Sequence, residues 1–136
     1  MHTPMRVLLG ALFAVAGVTP ATALAATSKA ALQAGEEVYS RCLACHALAY
    51  DRTGPRHCGL FGRRAGSVAG FAYSDAMKNY GVVWNAKTLD HFLRNPFKAV
   101  PGTSMGYAGV TDNNERAALI AYLKSANESA RCRKAP

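Results

Sequence analysis

The chain has 136 residues, half of them hydrophobic, and a formal net charge of +8 at pH 7. This length fits one compact domain with a modest core and argues against a multidomain organisation. Nucleic-acid binding is not expected, because no run of Lys or Arg exceeds two residues and no aromatic side chains interleave with one. The charge instead indicates an acidic partner protein or, at most, peripheral contact with an anionic membrane.

Residues 1–25 have the organisation of a secretory signal peptide. Arg6 precedes an apolar run at residues 7–18 without charged side chains, and Ala23-Leu24-Ala25 has the small-x-small pattern of a cleavage site. The run is shorter than the roughly 20 residues of a transmembrane helix. We therefore predict cleavage near Ala25, with retention as an anchor as the alternative. The mature domain would be residues 26–136, in the oxidising periplasm.

The mature chain is predicted to be all-α, with short helices joined by glycine-rich loops. Residues 30–41 are predicted to form the first helix, and Leu32, Gly35 and Tyr39 share one side of it. Gly35 would let another helix approach closely. Residues 47–72 lack periodicity and should form an irregular loop.

Three further helices are indicated by capping signals. Ser74 can cap a short helix that ends by residue 81, and Asn85 or Thr88 can start another that Pro96 ends. Asp112, followed three residues later by a glutamate, resembles a capping box for the last helix. An apolar stripe on that last helix consists of Leu119, Tyr122, Leu123 and Ala126.

The pentapeptide Cys42-Leu43-Ala44-Cys45-His46 is the most informative segment, because C-x-x-C-H is the attachment signature of a c-type haem. Two thiols at this spacing can bond to the two vinyl groups, and the histidine can ligate the iron. A redox dithiol would follow a strand in a βαβ pattern, and a zinc site would need a second ligand pair. Neither context is visible, so one covalent haem c is predicted.

The second axial ligand decides what such a haem can do, since an open sixth position would suit peroxide or small ligands. Met105 is the candidate, because the Pro-Gly turn at residues 101–102 can fold its loop over the haem. Met77 reads better as a core gap-filler. His57 and His91 could give a bis-His haem, but they lie outside any such loop.

Cys58 and Cys132 remain after the haem cysteines are assigned. An even remainder in an exported protein indicates a disulfide, which would tie the loop after Pro55 to the tail beyond the last helix. Free thiols or an intermolecular bond are the alternatives.

The ordered motifs together resemble a class I cytochrome c, of the bacterial type related to the mitochondrial protein. The resemblance covers about residues 35–124. Its motifs are Gly35-x-x-x-Tyr39, Cys42-x-x-Cys45-His46, Thr53-Gly54-Pro55, Gly59-Leu60-Phe61-Gly62-Arg63, Phe71-x-Tyr73-Ser74-x-Ala76, Trp84, Asn95-Pro96, Pro101-Gly102-Thr103-x-Met105 and Leu119-Ile120-Ala121-Tyr122-Leu123.

This resemblance implies a fold in which the first and last helices cross, with His46 and Met105 as the iron ligands. The carbonyl of Pro55 would accept the Nδ1 proton of His46 and fix its tautomer. Further haem-site residues implied by the resemblance are Arg63, Tyr73 and Trp84, at the propionates, and Thr103, in the methionine loop.

The implied function is single-electron transfer rather than catalysis. A monomeric periplasmic carrier would accept electrons from a bc1-type complex or a dehydrogenase and pass them to an acceptor such as a terminal oxidase, through acidic docking surfaces. A haem peroxidase or ligand sensor with a labile distal ligand is the alternative. The docking rim departs from the family, because Phe97 and Ser104 replace lysines and leave Arg41, Arg52 and Lys98. Long-range steering should therefore be weaker than the net charge suggests.

Overall fold

The computed structural model describes residues 21–135, and their side chains from residue 28 onward. Within this part of the chain the regular structure is helical, apart from one isolated β-bridge between Arg64 and Val83. The all-α prediction is confirmed. The helices are α1 (Ala21–Ser40), α2 (Asp75–Lys78), α3 (Ala86–Arg94), α4 (Pro96–Ala99), α5 (Asn113–Glu128) and α6 (Ala130–Arg133). None of these described helices combines the length and apolarity that a bilayer crossing requires.

The first helix is longer than the predicted segment at residues 30–41, because α1 already begins at Ala21. Its first turns are rich in alanine and contain neither glycine nor proline, so nothing in the sequence stops the helix there. Most of the predicted signal peptide, residues 1–20, lies outside the described residues. Cleavage near Ala25 therefore stays a prediction.

The first and last long helices, α1 and α5, pack against each other. Gly35 makes this crossing possible, since a Cβ there would clash with the backbone of Ala118 and lie 2.7 Å from the Cβ of Tyr122. A bidentate ion pair also joins the residue after the end of α1 to the first turn of α5. In it, Arg41 donates to both carboxylate oxygens of Glu115 at 2.6 and 2.7 Å. The predicted close approach at Gly35 is confirmed.

Helix caps follow the sequence in most places. Ser74 accepts from the backbone of α2, and Asn85 forms a full capping box with Thr88 at the start of α3. Asp112 caps α5 as predicted, but the carboxylate of Glu115 bonds to Arg41. The predicted capping box is therefore wrong in its glutamate half, because a cationic partner from α1 lies within reach.

Pro96 ends α3 and also begins α4, where its missing N–H costs nothing at the first helical position. The 47–72 loop packs with α3, α4 and α5 around one apolar core. Large buried members of this core are Leu60, Met77, Trp84, Leu89, Phe92, Leu93, Leu119, Ile120 and Leu123. Met77 thus fills the core, as its position in a short helix predicted.

Candidate haem-binding site

The Cys42–His46 pentapeptide forms hydrogen-bonded turns directly after α1. The backbone N–H of Cys45 donates to the carbonyl of Cys42 at 3.1 Å, and that of His46 donates to the same carbonyl at 2.9 Å. Both cysteines are free thiols; Cys45 is exposed, and burial raises the pKa of the Cys42 thiol to about 11. The turn therefore presents two reduced, unpaired sulfurs beside the histidine, as covalent haem attachment requires.

The imidazole of His46 is buried and fixed in orientation. Its Nδ1 lies 2.7 Å from the carbonyl oxygen of Pro55, and a carbonyl can only accept, so Nδ1 carries the proton. Burial lowers the pKa of His46, which the Pro55 hydrogen bond partly opposes. A neutral ring with Nδ1 protonated leaves the Nε2 lone pair available to a metal.

Gly54 allows the Pro55 segment to approach this ring so closely. A Cβ at Gly54 would lie 2.6 Å from Nε2 and 2.7 Å from Nδ1 of His46. The amide of Gly54 donates to the carbonyl of Cys45 at 2.7 Å, which ties the segment to the pentapeptide. The Thr-Gly-Pro motif thus supplies both the space for the imidazole and the acceptor that orients it.

Arg63 carries an unsatisfied donor that suits an anionic group. Its Nη1 and Nη2 donate to the carbonyls of Cys58 and Arg56 at 3.0 and 2.9 Å. Its Nε, however, is buried without a hydrogen-bond partner. Burial of an unpaired cationic N–H is costly, and a propionate carboxylate would satisfy it. The free thiols, the available Nε2 and this orphaned donor together fit a covalently bound haem.

Tyr73 and Trp84, the other predicted propionate contacts, are both linked to Arg63. Burial raises the pKa of Tyr73, and the positive charge of Arg63 opposes that rise. The amide of Trp84 donates to the carbonyl of Arg63 at 2.9 Å, and its ring packs 5.2 Å from that of Phe92. The three residues are thus brought together, while their contacts with propionates remain predictions.

Met105 lies partly buried against the core, in the loop between α4 and α5. The hydroxyl of Thr103 accepts from the amide of Met105 at 3.2 Å, and the amide of Thr103 donates to the carbonyl of Val100 at 2.9 Å. Thr103 therefore steadies the methionine segment locally.

Comparison with known proteins decides the family. The family model for cytochrome c matches residues 32–127. This chain belongs to the cytochrome c family. A cytochrome c2 from Blastochloris viridis is 43% identical over 127 residues, covering 90% of this chain and 95% of that protein. A cytochrome c from Tetrahymena pyriformis is 51% identical over 94 residues, covering 68% of this chain and 85% of that protein.

A solved structure supports the same assignment. Cytochrome cH from Methylobacterium extorquens superposes with a TM-score of 0.67 at 39% identity, covering 69% of this chain and 97% of that one. The chain is therefore a class I cytochrome c with one covalent haem c at the Cys42/Cys45 pair and His46. Its function is electron transfer by a single haem, and not enzymatic catalysis.

The disulfide predicted for this cytochrome is confirmed in the structure. Cys58 and Cys132 are bonded, with their Cα atoms 5.0 Å apart. The bond fixes α6 and the C-terminal tail to the loop that follows Pro55. The haem cysteines stay unpaired, so the four cysteines divide cleanly into two attachment thiols and one structural bridge.

The other two histidines of the described residues lie in different environments. His91 is exposed on α3. His57 stacks on His46, with ring centroids 4.3 Å apart and 19° between the planes. Nothing in the spacing of His57 indicated this parallel contact with His46, because the contact depends on how the 47–72 loop folds.

Proposed function

We propose that this cytochrome c holds its iron between His46 and Met105 and carries single electrons between periplasmic redox proteins as a monomer. The observation that supports it most strongly is the 2.7 Å hydrogen bond from Nδ1 of His46 to the Pro55 carbonyl. It orients the imidazole with Nε2 free, and it makes the nitrogen a stronger donor to the metal.

The case for Met105 rests on its chemistry and its loop. A neutral thioether is a soft ligand that favours Fe(II), which raises the potential of a c-type haem. Met105 lies in a loop with a glycine of φ +90° at Gly102 and the Thr103 hydrogen bond, a conformation that bends the chain sharply. Met77, by contrast, is 8% exposed and packed in the core.

Each part of the chain has a separate task in this mechanism. The haem supplies a reversible one-electron change at its iron. Cys42 and Cys45 would keep it attached, the Pro55 carbonyl orients His46, and the Nε of Arg63 would donate to a propionate. Ligands that stay bound in both oxidation states rearrange little, so electron transfer is fast and no position is left open for substrate.

The ligation test compares two methionine variants of the holoprotein. Met105→Ala should remove the sulfur-to-iron charge-transfer band of the ferric protein and let the ferrous protein bind CO. Met77→Leu is the matched control, because leucine preserves the buried volume, and it should retain the band and exclude CO. A band that survives Met105→Ala would contradict the proposed ligation.

A peroxidase or ligand-sensing role is the second candidate. It would require an iron whose distal ligand leaves readily. Wild-type protein that lacks the charge-transfer band, or that binds CO without denaturant, would favour that role over electron shuttling. Absorption spectra in both oxidation states therefore separate the two functions before any variant is made.

The proposed partners are acidic faces of a bc1-type complex, a dehydrogenase or a terminal oxidase. Part of the charge of the basic rim is already offset, since Arg41 pairs with Glu115, while Arg52 is held by a hydrogen bond to the carbonyl of Leu43 at 2.5 Å. Phe97 is 50% exposed and offers an apolar contact. Association rates should therefore depend only shallowly on salt, and a steep dependence would contradict this docking surface.

The proposed periplasmic location is supported by the predicted signal peptide and by the Cys58–Cys132 bridge, which needs an oxidising compartment to form. The intact mass of the purified holoprotein tests it directly. A chain that begins near residue 26, with one haem added, is expected. A chain that retains residues 1–25 would instead support the anchored alternative.

A further inference from the structure

We propose that His57 is a positioning residue for the haem, which fixes the plane of the His46 imidazole and lowers the midpoint potential. This inference rests on the proposed ligation of iron by His46. It assigns a role to a side chain that neither the haem-attachment motif nor the proposed ligand pair uses.

The contact between the two rings is face to face. Their centroids are 4.3 Å apart and their planes differ by 19°. The backbone of His57 is also fixed, because its amide lies 3.1 Å from the carbonyls of both Ala47 and Leu48. These carbonyls directly follow His46 in the chain. The stacked ring is therefore held by the same segment that carries the ligand.

A second contact links His57 to the helix crossing. The hydroxyl of Tyr39 lies within hydrogen-bond distance of Nδ1 of His57, at 3.1 Å. Tyr39 is 3% exposed, and its ring centroid lies 5.2 Å from that of Tyr122 on α5. The orientation of His57 is thus set by the α1–α5 crossing, and His57 passes that constraint to His46.

The second constraint on the His46 ring is the hydrogen bond from its Nδ1 to the Pro55 carbonyl. The imidazole therefore has one fixed point on its rim and one aromatic face against its plane. With both present, the plane of the imidazole would be held when the ring ligates the iron. With the Pro55 bond alone, tilting toward the space behind the ring would remain possible.

The stacked ring also has an electronic effect with a definite sign. An axial imidazole shares more positive charge when the iron is oxidised. A neighbouring aromatic face attracts positive charge, so it stabilises the ferric state more than the ferrous state. An aliphatic side chain at position 57 would lose this preference, and the midpoint potential should rise.

The test uses three variants of the holoprotein and a control. His57→Leu removes the ring; His57→Phe keeps an aromatic face but loses the bond to Tyr39; Tyr39→Phe keeps His57 and removes only the hydroxyl. His91→Leu is the control, because His91 is exposed on α3. Potentials come from equilibrium redox titration, and the ligand plane from the hyperfine-shifted haem-methyl resonances of the ferric protein.

We expect the potential to rise in His57→Leu and to change less in His57→Phe. The spread and order of the haem-methyl shifts should change in His57→Leu and, to a smaller extent, in Tyr39→Phe. His91→Leu should match the wild type in both measurements. Thermal unfolding measures the stability of each variant. A purely structural role of His57 would lower the stability without changing the potential.

Two results would overturn the inference. One is a His57→Leu variant with wild-type potential and methyl shifts; the other, should that variant not fold, is a His57→Phe and Tyr39→Phe pair that leaves the methyl shifts unchanged. The wild-type spectrum separates this failure from failure of the proposed ligation. If the imidazole resonances of His46 carry no hyperfine shift, the ligand assignment fails; if they do and the variants are silent, only the role of His57 fails.

Discussion

The loop that follows Pro55 and the loop that carries Met105 are held in different ways. In the first, the Cys58–Cys132 bridge and a bond from the amide of Leu60 to Asn127 at 2.8 Å fix the chain to the C-terminal part of the protein, and both Nη donors of Arg63 bond to carbonyls within the loop itself. The loop near His46 is therefore attached to α5 and to the tail that follows it.

The Met105 loop is held mainly at its ends. Beyond the local Thr103 bonds, the amide of Val110 donates to the carbonyl of Leu93 at 2.8 Å. Arg116 binds the C-terminal end of this loop, since its Nη1 donates to the Val110 carbonyl at 2.8 Å. We therefore expect His46 to be held more rigidly than Met105. The predictions below break one loop or the other, from the largest expected effect to the smallest.

Removing the disulfide should have the largest effect. Cys58→Ser with Cys132→Ser opens a loop whose ends are 74 residues apart, which costs about 4 kcal/mol in the chain-entropy model. The melting temperature of the holoprotein should fall by on the order of 15 °C. Calorimetry of the double variant measures it, and an unchanged melting temperature would show that the bridge does not anchor the proximal loop.

Two glycine substitutions compare the loops directly. Gly54→Ala places a methyl group against the His46 ring and should cost about 1–3 kcal/mol, with altered proximal ligation. Gly106→Ala, next to Met105, is the matched control because a Cβ there meets nothing within 4 Å. Chemical denaturation should leave Gly106→Ala as stable as the wild type. Equal losses in both variants would contradict the difference between the loops.

Arg116 tests the anchor of the Met105 loop. Its side chain is 1% exposed, and its Nε donates to Asp90 at 2.7 Å while Nη1 holds the carbonyl of Val110. A lysine lacks the planar fork, so Arg116→Lys should cost about 2 kcal/mol. Loss of the charge-transfer band with rising pH should occur at a lower pH than in the wild type.

The control is Arg94→Lys, because Arg94 also donates to Asp90 but is largely exposed. Neither the stability of Arg94→Lys nor the pH at which its charge-transfer band is lost should change. If both variants behave alike, the ion pair with Asp90 and not the buried fork would account for the effect.

Acid should weaken the same anchor gradually. The hydrogen bond from Arg116, the largest cause, lowers the pKa of Asp90 from its usual 3.8. A depressed carboxyl pKa stabilises the fold above the ordinary value, and this contribution is lost as pH falls through the folded pKa. Asp90→Asn should therefore be less stable than the wild type at neutral pH, with the difference closing below about pH 4. A constant difference across that range would contradict the linkage.

The sequence predicted those features that depend on local chemistry. The Cys42–His46 motif and the caps at Ser74 and Asn85 are short-range patterns, and the structure contains them. The acceptor at Pro55 was implied by the family resemblance, and the structure contains it as well. Close approach at Gly35 could also be predicted, since a glycine on the apolar side of a helix leaves room for a neighbour.

Long-range partners could not be predicted. Glu115 pairs with Arg41, 74 residues earlier, and Arg116 reaches five polar groups around the end of the Met105 loop, because both depend on how α5 lies against the rest of the fold. The start of α1 was missed because an alanine-rich segment carries no stop signal. The His57 stack was missed because an irregular loop has no period from which to infer orientation.

The most direct test of the account is thermal melting of the ferric holoprotein followed by two signals. The sulfur-to-iron charge-transfer band reports the Met105 bond, and far-UV circular dichroism reports the helices. We predict that the band disappears at a clearly lower temperature than the helical signal, because the methionine loop is held mainly at its ends. Simultaneous loss of both signals would contradict the expectation that Met105 is held less rigidly than His46.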